Sequence, residues 1–291
     1  MNTYVITTDS NADLPKDLIA HYQIPIIPQY YEINEVIYGD EKKLTPSEFY
    51  AKMRDGAMPK SMANNPAVIH DTFEAILKQK KDILHIAFSS ALSGSYSNVC
   101  MVAQELQEEY PESKIIVVDS LNVSLGEALV VLHAFQLQAQ GATIEANEAA
   151  LNECKTHINV AFTVNDLHHL QRGGRISKGS AIIGSMINIK PLLCINKEGK
   201  LVANGTVRGR KKSLNALIKT MQETLENESS VGLPVGIVHG DCIDDANYIK
   251  DTLKETLNIR DVIINDINPS IGTHAGPGAI GICYYGKVLE K

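Results

Sequence analysis

Apolar residues in the first half of the chain fall into short runs, separated by longer stretches where they recur every three or four positions. Tyr4–Thr8, Ile24–Ile33, Ile83–Phe88 and Ile115–Val118 are rich in isoleucine and valine, which predicts strands. Asp13-Leu14-Pro15 opens a helix to about His21, with Asp13 as its N-cap. Thr45-Pro46-Ser47-Glu48 has the form of a capping box, and Asn65-Pro66 opens another helix. Gly94–Tyr110, Leu125–Gln140 and Ile144–His157 read as helices. Strands spaced by such helices predict a parallel sheet with helices on its faces. Three apolar runs end alike, in Asp9-Ser10, Ser89-Ser90 and Asp119-Ser120. In a parallel sheet these ends share one edge, where open α/β sheets bind ligands.

The second half is patterned differently. Ile158–Thr163 is strand-like, and Arg172-Gly173-Gly174-Arg175 leads into a helix to about Ile187. Leu192–Ile195 and Leu201–Val207 form a hairpin around Lys197-Glu198-Gly199-Lys200. A helix spans about Lys211 to Glu226; Val235–Val238, Val262–Ile264 and Ile280–Tyr285 are strands, and Asp244–Leu257 is a helix. The change of pattern divides the chain into two α/β domains, 1–155 and 156–291. There is no low-complexity tract and no internal repeat.

Composition narrows the functional classes. A formal net charge of −7 argues against free nucleic acid as a partner. Basic residues gather locally at Arg172, Arg175 and Lys178, and at Arg208, Arg210, Lys211 and Lys212, which suits a phosphate or an acidic protein. The five cysteines are scattered with no CxxC pair, as expected of free thiols in a reducing compartment. The start of the chain lacks a signal-peptide pattern, and no apolar run reaches the roughly 18 residues of a membrane span. The expected location is the cytoplasm.

Three segments carry candidate chemistry. Ser89 to Ser97 lies between a strand and a helix and holds five serines and Gly94. Unpaired N–H groups and hydroxyls at a helix start suit a carboxylate or phosphate, although Ser93 also fits as a simple cap. Gly276 and Gly278 around Pro277 form a rigid turn, with His274 ahead of it as a hydrogen-bond donor or proton shuttle. Arg172 and Arg175 flank two glycines, an arrangement for holding an anion or merely a solvated loop before a helix capped by Ser177. There is no P-loop, no GxSxG elbow and no HExxH or paired-cysteine metal pattern. Asp241, Asp244 and Asp245 are placed to favour the start of the following helix rather than a metal.

Taken in order, these motifs resemble the DegV family, bacterial fatty-acid-binding proteins that partner a fatty acid kinase. The likeness runs from Thr8-Asp9-Ser10 through Ser90-Ala91-Leu92-Ser93-Gly94-Ser95-Tyr96, Arg172-Gly173-Gly174-Arg175-Ile176, Lys190-Pro191-Leu192 and Arg208-Gly209-Arg210-Lys211-Lys212 to His274-Ala275-Gly276-Pro277-Gly278. It implies a ligand cleft between the two domains, with the 270–280 loop returning to it. It further implies a long-chain fatty acid as ligand and a separate ATP-binding kinase subunit as partner, with a role in phospholipid metabolism. No cofactor and no metal are expected, and contact with a membrane is at most transient. Ser61, Ser93, Gly94 and His274 match the carboxylate-binding positions. Arg172, Arg175, Arg208 and Arg210 match positions that face the kinase or the phosphate. One segment departs from the pattern: after Pro59-Lys60 the family usually has Thr-Ser-Gln-Pro-Ser, and here Ser61-Met62-Ala63-Asn64-Asn65 stands there. Ser61 keeps a hydroxyl; Met62 replaces a serine. A buried carboxylate needs hydrogen bonds to stay ionised, and Ser61, Ser93 and His274 supply them without a permanent charge. The tail would contribute about 0.8 kcal/mol per buried CH₂. Two other classes stay open: an acyl-ester hydrolase using Ser93 and His274 with Asp9 or Asp119 as orienter, and a binding module for another small anion.

Overall fold

The computed structural model describes residues 3–165, 167–176, 188–225 and 231–288. The helix expected after Arg175, with Ser177 as its cap and Lys178 near its start, lies outside the described residues.

A four-stranded parallel sheet forms first, from β1 (Tyr4–Asp9), β2 (Ile26–Ile27), β6 (Asp82–Ala87) and β7 (Ile115–Asp119), in the order β2-β1-β6-β7. Every residue of β6 is buried, so its apolar residues run together at Ile83-Leu84 and Ile86-Ala87 rather than alternating, and His85 is buried with them. The connections are α1 (Lys16–Tyr22), α3 (Pro66–Leu77) and α4 (Ser95–Glu109). Between β2 and β6 the chain builds a small antiparallel sheet, β4-β3-β5, from β3 (Tyr30–Ile33), β4 (Val36–Tyr38) and β5 (Lys60–Met62), backed by α2 (Pro46–Arg54).

The expected strand over 24–33 is therefore two strands in two sheets. Pro28 offers no N–H to a ladder and ends β2, so the chain changes sheets there. Asp13 does not cap α1: it is buried in the left-handed region at φ 51°, and Pro15 precedes the helix without a side-chain cap. The capping box at α2 forms as its sequence predicts, with Thr45 Oγ1 accepting from the Glu48 N–H at 3.3 Å.

Next come α5 (Leu125–Ala139) and α6 (Ile144–Cys154). Nine of the residues of α5 are buried, because it packs against β1 and β6 on one side and β8, β11 and β13 on the other. These last strands belong to a six-stranded mixed sheet, β10-β9-β8-β13-β11-β12. It is formed by β8 (Ile158–Thr163), β9 (Ile189–Ile195), β10 (Leu201–Arg208), β11 (Val235–His239), β12 (Val262–Asp266) and β13 (Ile280–Tyr285). Its remaining helices are α7 (His168–Arg172), α8 (Arg210–Thr224), α9 (Ile243–Leu257) and α10 (Pro269–Ala275). One apolar core runs through α5 from Ile6, Leu84 and Ile86 to Val160, Leu193 and Cys283. The carboxyl edge of the first sheet thus faces the second sheet, and the β9–β10 turn folds against it, with Ser89 donating to Gly199 O at 2.9 Å.

Candidate functional site

A cavity of about 180 Å³ lies between that edge and the second sheet. Phe88, Leu92 and Val123 line it from the first sheet's side, and Val160, Phe162, Ile195, Val238 and Ile280 from the second. Leu170, Ile267 and Ile271 complete an apolar wall. Polar side chains at the same cavity are Asn11, Gln29, Ser61, Ser93, Ser124, Ser270, Arg175 and His274. An apolar space with a few convergent polar groups fits an amphiphile.

The segment carrying His274 is the last turn of a helix, not the loop its glycines predict. Asn268 caps α10, accepting from the N–H groups of Ser270 (2.8 Å) and Ile271 (3.2 Å), with Pro269 at the first helical position. The cap is tied to the first sheet, as Asn268 donates to Asp13 Oδ1 from its backbone N–H (3.0 Å) and from Nδ2 (2.6 Å). Ser124 donates to the other Asp13 oxygen. Two glycines then make room for imidazoles. A Cβ on Gly173 would stand 2.0 Å from His274 Nδ1, and one on Gly276 would stand 2.5 Å from His169 Cδ2.

Alternation along β5 turns Ser61 inward, opposite Tyr31, and its Oγ meets His274 Nε2 at 2.7 Å. Burial, then the charges of Arg175 and Arg172, push the His274 pKa down to about 4, so the ring is neutral at pH 7. His274 Nδ1 is buried without a hydrogen-bond partner among the described residues. A proton on Nε2 avoids an orphaned buried N–H, and it makes His274 the donor to Ser61. The Ser61 hydroxyl hydrogen is then free for a ligand.

Ser93 precedes α4 and accepts from the Ser95 N–H at 3.1 Å, while Gly94, exposed, occupies the cap position. Ser93 Oγ also lies 2.9 Å from Ser95 Oγ, which donates to Gln29 Oε1 at 2.8 Å. With its own hydrogen committed to Gln29, Ser95 accepts from Ser93. A carboxylate would exchange that neutral bond for a charge-assisted one. Sequence reasoning missed the supports of this arrangement. Asn64 is buried and donates through Nδ2 to Ser95 O (3.3 Å), and Asn98 donates to Asn64 O (3.0 Å). Met62, 40% exposed, stands at the cavity rim. Asn268-Pro269 was the readable signal for the cap of α10.

The four arginines separate. Arg175 lines the cavity, donating from Nε to Leu92 O (3.1 Å) and from Nη1 to Gly173 O (2.6 Å), so the donors there are not all uncharged as the sequence suggests. Arg172 straps Pro59 O (3.3 Å) to Thr273 O (3.4 Å), bridging the chain before β5 to α10. Arg208 is exposed at the far end of β10, about 23 Å along the strand from the cavity residue Leu201. Arg210 is half-buried in an ion pair with Asp245 at 2.8 Å. Neither lines the cavity.

The geometry expected of a hydrolase does not form. His274 pairs with Ser61 rather than Ser93, and Asp9 and Asp119 are spent on backbone. Asp9 accepts from Asn11 N–H (2.8 Å) and Phe88 N–H (3.0 Å), with burial raising its pKa to about 6. Asp119 accepts from Ser90 N–H (3.2 Å) and Leu121 N–H (3.0 Å). Among the described residues no cluster of three or more His, Cys, Asp or Glu side chains is placed to hold a metal ion. None of their helices is long and apolar enough to cross a membrane.

Residues 3–287 match the model of the DegV family, described as an uncharacterised protein family. A DegV domain-containing protein of Clostridium perfringens is 37% identical over 292 residues, covering 100% of both chains. Among solved structures, a fatty-acid-binding DegV family protein from Thermus thermophilus superposes with a TM-score of 0.86 at 28% identity, covering 98% of this chain and 99% of that one. DegV from Bacillus subtilis, a fatty acid binding protein, gives 0.84 at 28% identity over 99% and 100%.

Proposed function

The chain belongs to the DegV family, and from that premise we propose that it binds a long-chain fatty acid and presents the carboxylate to a separate kinase for conversion to acyl phosphate. The observation that carries this reading is an apolar cavity with hydroxyls, a neutral imidazole and one guanidinium gathered at Ser61, Ser93, His274 and Arg175. Gly94 completes the head-group side. Relatives that bind fatty acids share the fold over nearly the whole chain. In this reading lobes 1–155 and 156–291 close on the acid.

The division of labour follows from charge and position. Burial of each methylene contributes about 0.8 kcal/mol, so the tail supplies affinity. Ser61 and Ser93 donate to the carboxylate, and Arg175 offsets its charge. Arg172, bonded among the described residues to the backbone carbonyls of Pro59 and Thr273, keeps donors to spare for a transferring phosphoryl group. ATP and Mg²⁺ come with the kinase. Arg208 and Arg210 lie away from the cavity, on the side left for the partner's surface. The cytoplasm supplies the kinase, and any membrane contact is transient.

Lipid extraction and mass spectrometry of the purified protein should yield a stoichiometric long-chain acid. A delipidated protein that does not take one up overturns the proposal. Arg172→Ala should retain the acid but slow acyl phosphate formation with the kinase; loss of binding instead would reassign Arg172 to the head group.

A further inference from the structure

The cavity holds more hydrogen-bonding capacity than one carboxylate and a hydrocarbon tail can use. Asn11 follows β1 and Ser270 sits in the first turn of α10; both line the cavity, at 4% and 5% exposure. One amide fixes the pair. Asn268 donates from Nδ2 to Asn11 Oδ1 at 3.1 Å and accepts through Oδ1 from the Ser270 N–H at 2.8 Å. Asn11 Nδ2 and the Ser270 hydroxyl make no hydrogen bond among the described residues. An all-hydrocarbon chain packed on these groups would leave them unpaired, which weakens a complex. A ligand oxygen between them removes that cost.

Ser270 precedes His274 by four residues, so the two share a face of α10, about 6 Å apart along its axis. We infer that Asn11 and Ser270 form a second hydrogen-bonding station, one helical turn from the Ser61–His274 contact, that accepts an oxygen substituent on the acyl chain. The substrate class it selects is an oxygenated long-chain acid, a hydroxy acid above all. A hydroxyl there accepts from Asn11 Nδ2 and shares a hydrogen bond with Ser270 Oγ, and both groups are satisfied. The station rests on the fatty acid reading of the cavity and refines it. Sites built to bond a hydroxyl discriminate strongly against analogues that lack it, whereas purely apolar pockets do not.

The test titrates delipidated full-length protein with octadecanoic acid and with a set of its positional hydroxy isomers, for wild type and Ser270→Ala. The Ser270 side chain makes no hydrogen bond among the described residues, and the melting temperature of the variant reports its folding. One isomer should bind wild type about tenfold more tightly than the parent acid. That preference should fall to roughly threefold or less in Ser270→Ala. The station is overturned if no isomer outbinds the parent, as it would be with ordered water satisfying the pair, or if the preference survives in the folded variant. A protein that binds no long-chain acid at all overturns the fatty acid reading, and the station with it.

Discussion

Ser89 and Ser93 belong to one loop at the carboxyl edge of the first sheet, yet their hydroxyls have different fates. Ser89 is fully buried and donates to Gly199 O. Asp9, Asp119 and Ser120, which end neighbouring strands or follow them, are likewise occupied, each bonding backbone groups of the loops beside it. Ser93 accepts from the Ser95 N–H, but its hydroxyl hydrogen, like that of Ser61 beside His274 across the cavity, is claimed by no backbone group. A parallel sheet delivers loops with unpaired N–H and C=O groups to one edge, and the nearest polar side chains must satisfy them first. A ligand receives what is left over. Serine and aspartate at a strand end therefore mark the edge, while the residues one turn further on mark the site.

The sharpest way to break this contrast is to remove one group from each side. Asp9→Ala strands two buried N–H groups and should cost about 3 kcal/mol in urea unfolding. Ser93→Ala should cost less than about 1 kcal/mol in stability and yet weaken fatty acid binding about tenfold. Equal stability losses would erase the distinction between edge and site.

The next effect is on pH dependence. Burial raises the Asp13 pKa to about 7, against an ordinary 3.8. The folded protein then binds more protons than the unfolded between pH 4 and 7, so this group's stability contribution declines as pH rises through that window. His274 and His85, held near 4 and 3, act in the opposite sense and cost stability as pH falls below 6.5. Comparison with Asp13→Asn isolates the carboxyl: wild type should lose on the order of 2 kcal/mol relative to the variant from pH 4 to 7. Parallel stability curves would contradict the burial account of Asp13.

How much of this was readable without coordinates depended on sequence distance. The capping box at Thr45 and Glu48 and the buried run of β6 are local patterns, and both formed as their residues predict. The small sheet was hidden because Pro25 and Pro28 sit inside an apolar run whose composition says strand throughout. The Ser61–His274 contact joins residues 213 positions apart, so no periodicity announces it, and only the family likeness named both. Asp13 looked like a helix cap and is instead the anchor of α10, a role fixed by Asn268 at the other end of the chain.

Two smaller effects sharpen the placement of the second motif region. Gly173→Ala would drive a methyl group into the His274 ring without backbone strain, and affinity for the acid should fall about tenfold with the fold intact. Unchanged affinity would show that the His274 ring position is not what holds the head group. Arg210→Ala breaks a half-exposed ion pair, so unfolding should shift by less than about 1 kcal/mol and acid binding should not move. A binding loss would return Arg210 to the site.

The most direct measurement is a crystal structure of the protein as purified, without added ligand. It should hold an acyl chain along Phe88, Val160 and Ile280 with its carboxylate within hydrogen-bond distance of Ser61 and Ser93. A chain bound in the reverse sense, or a cavity collapsed onto its own side chains, would contradict the account.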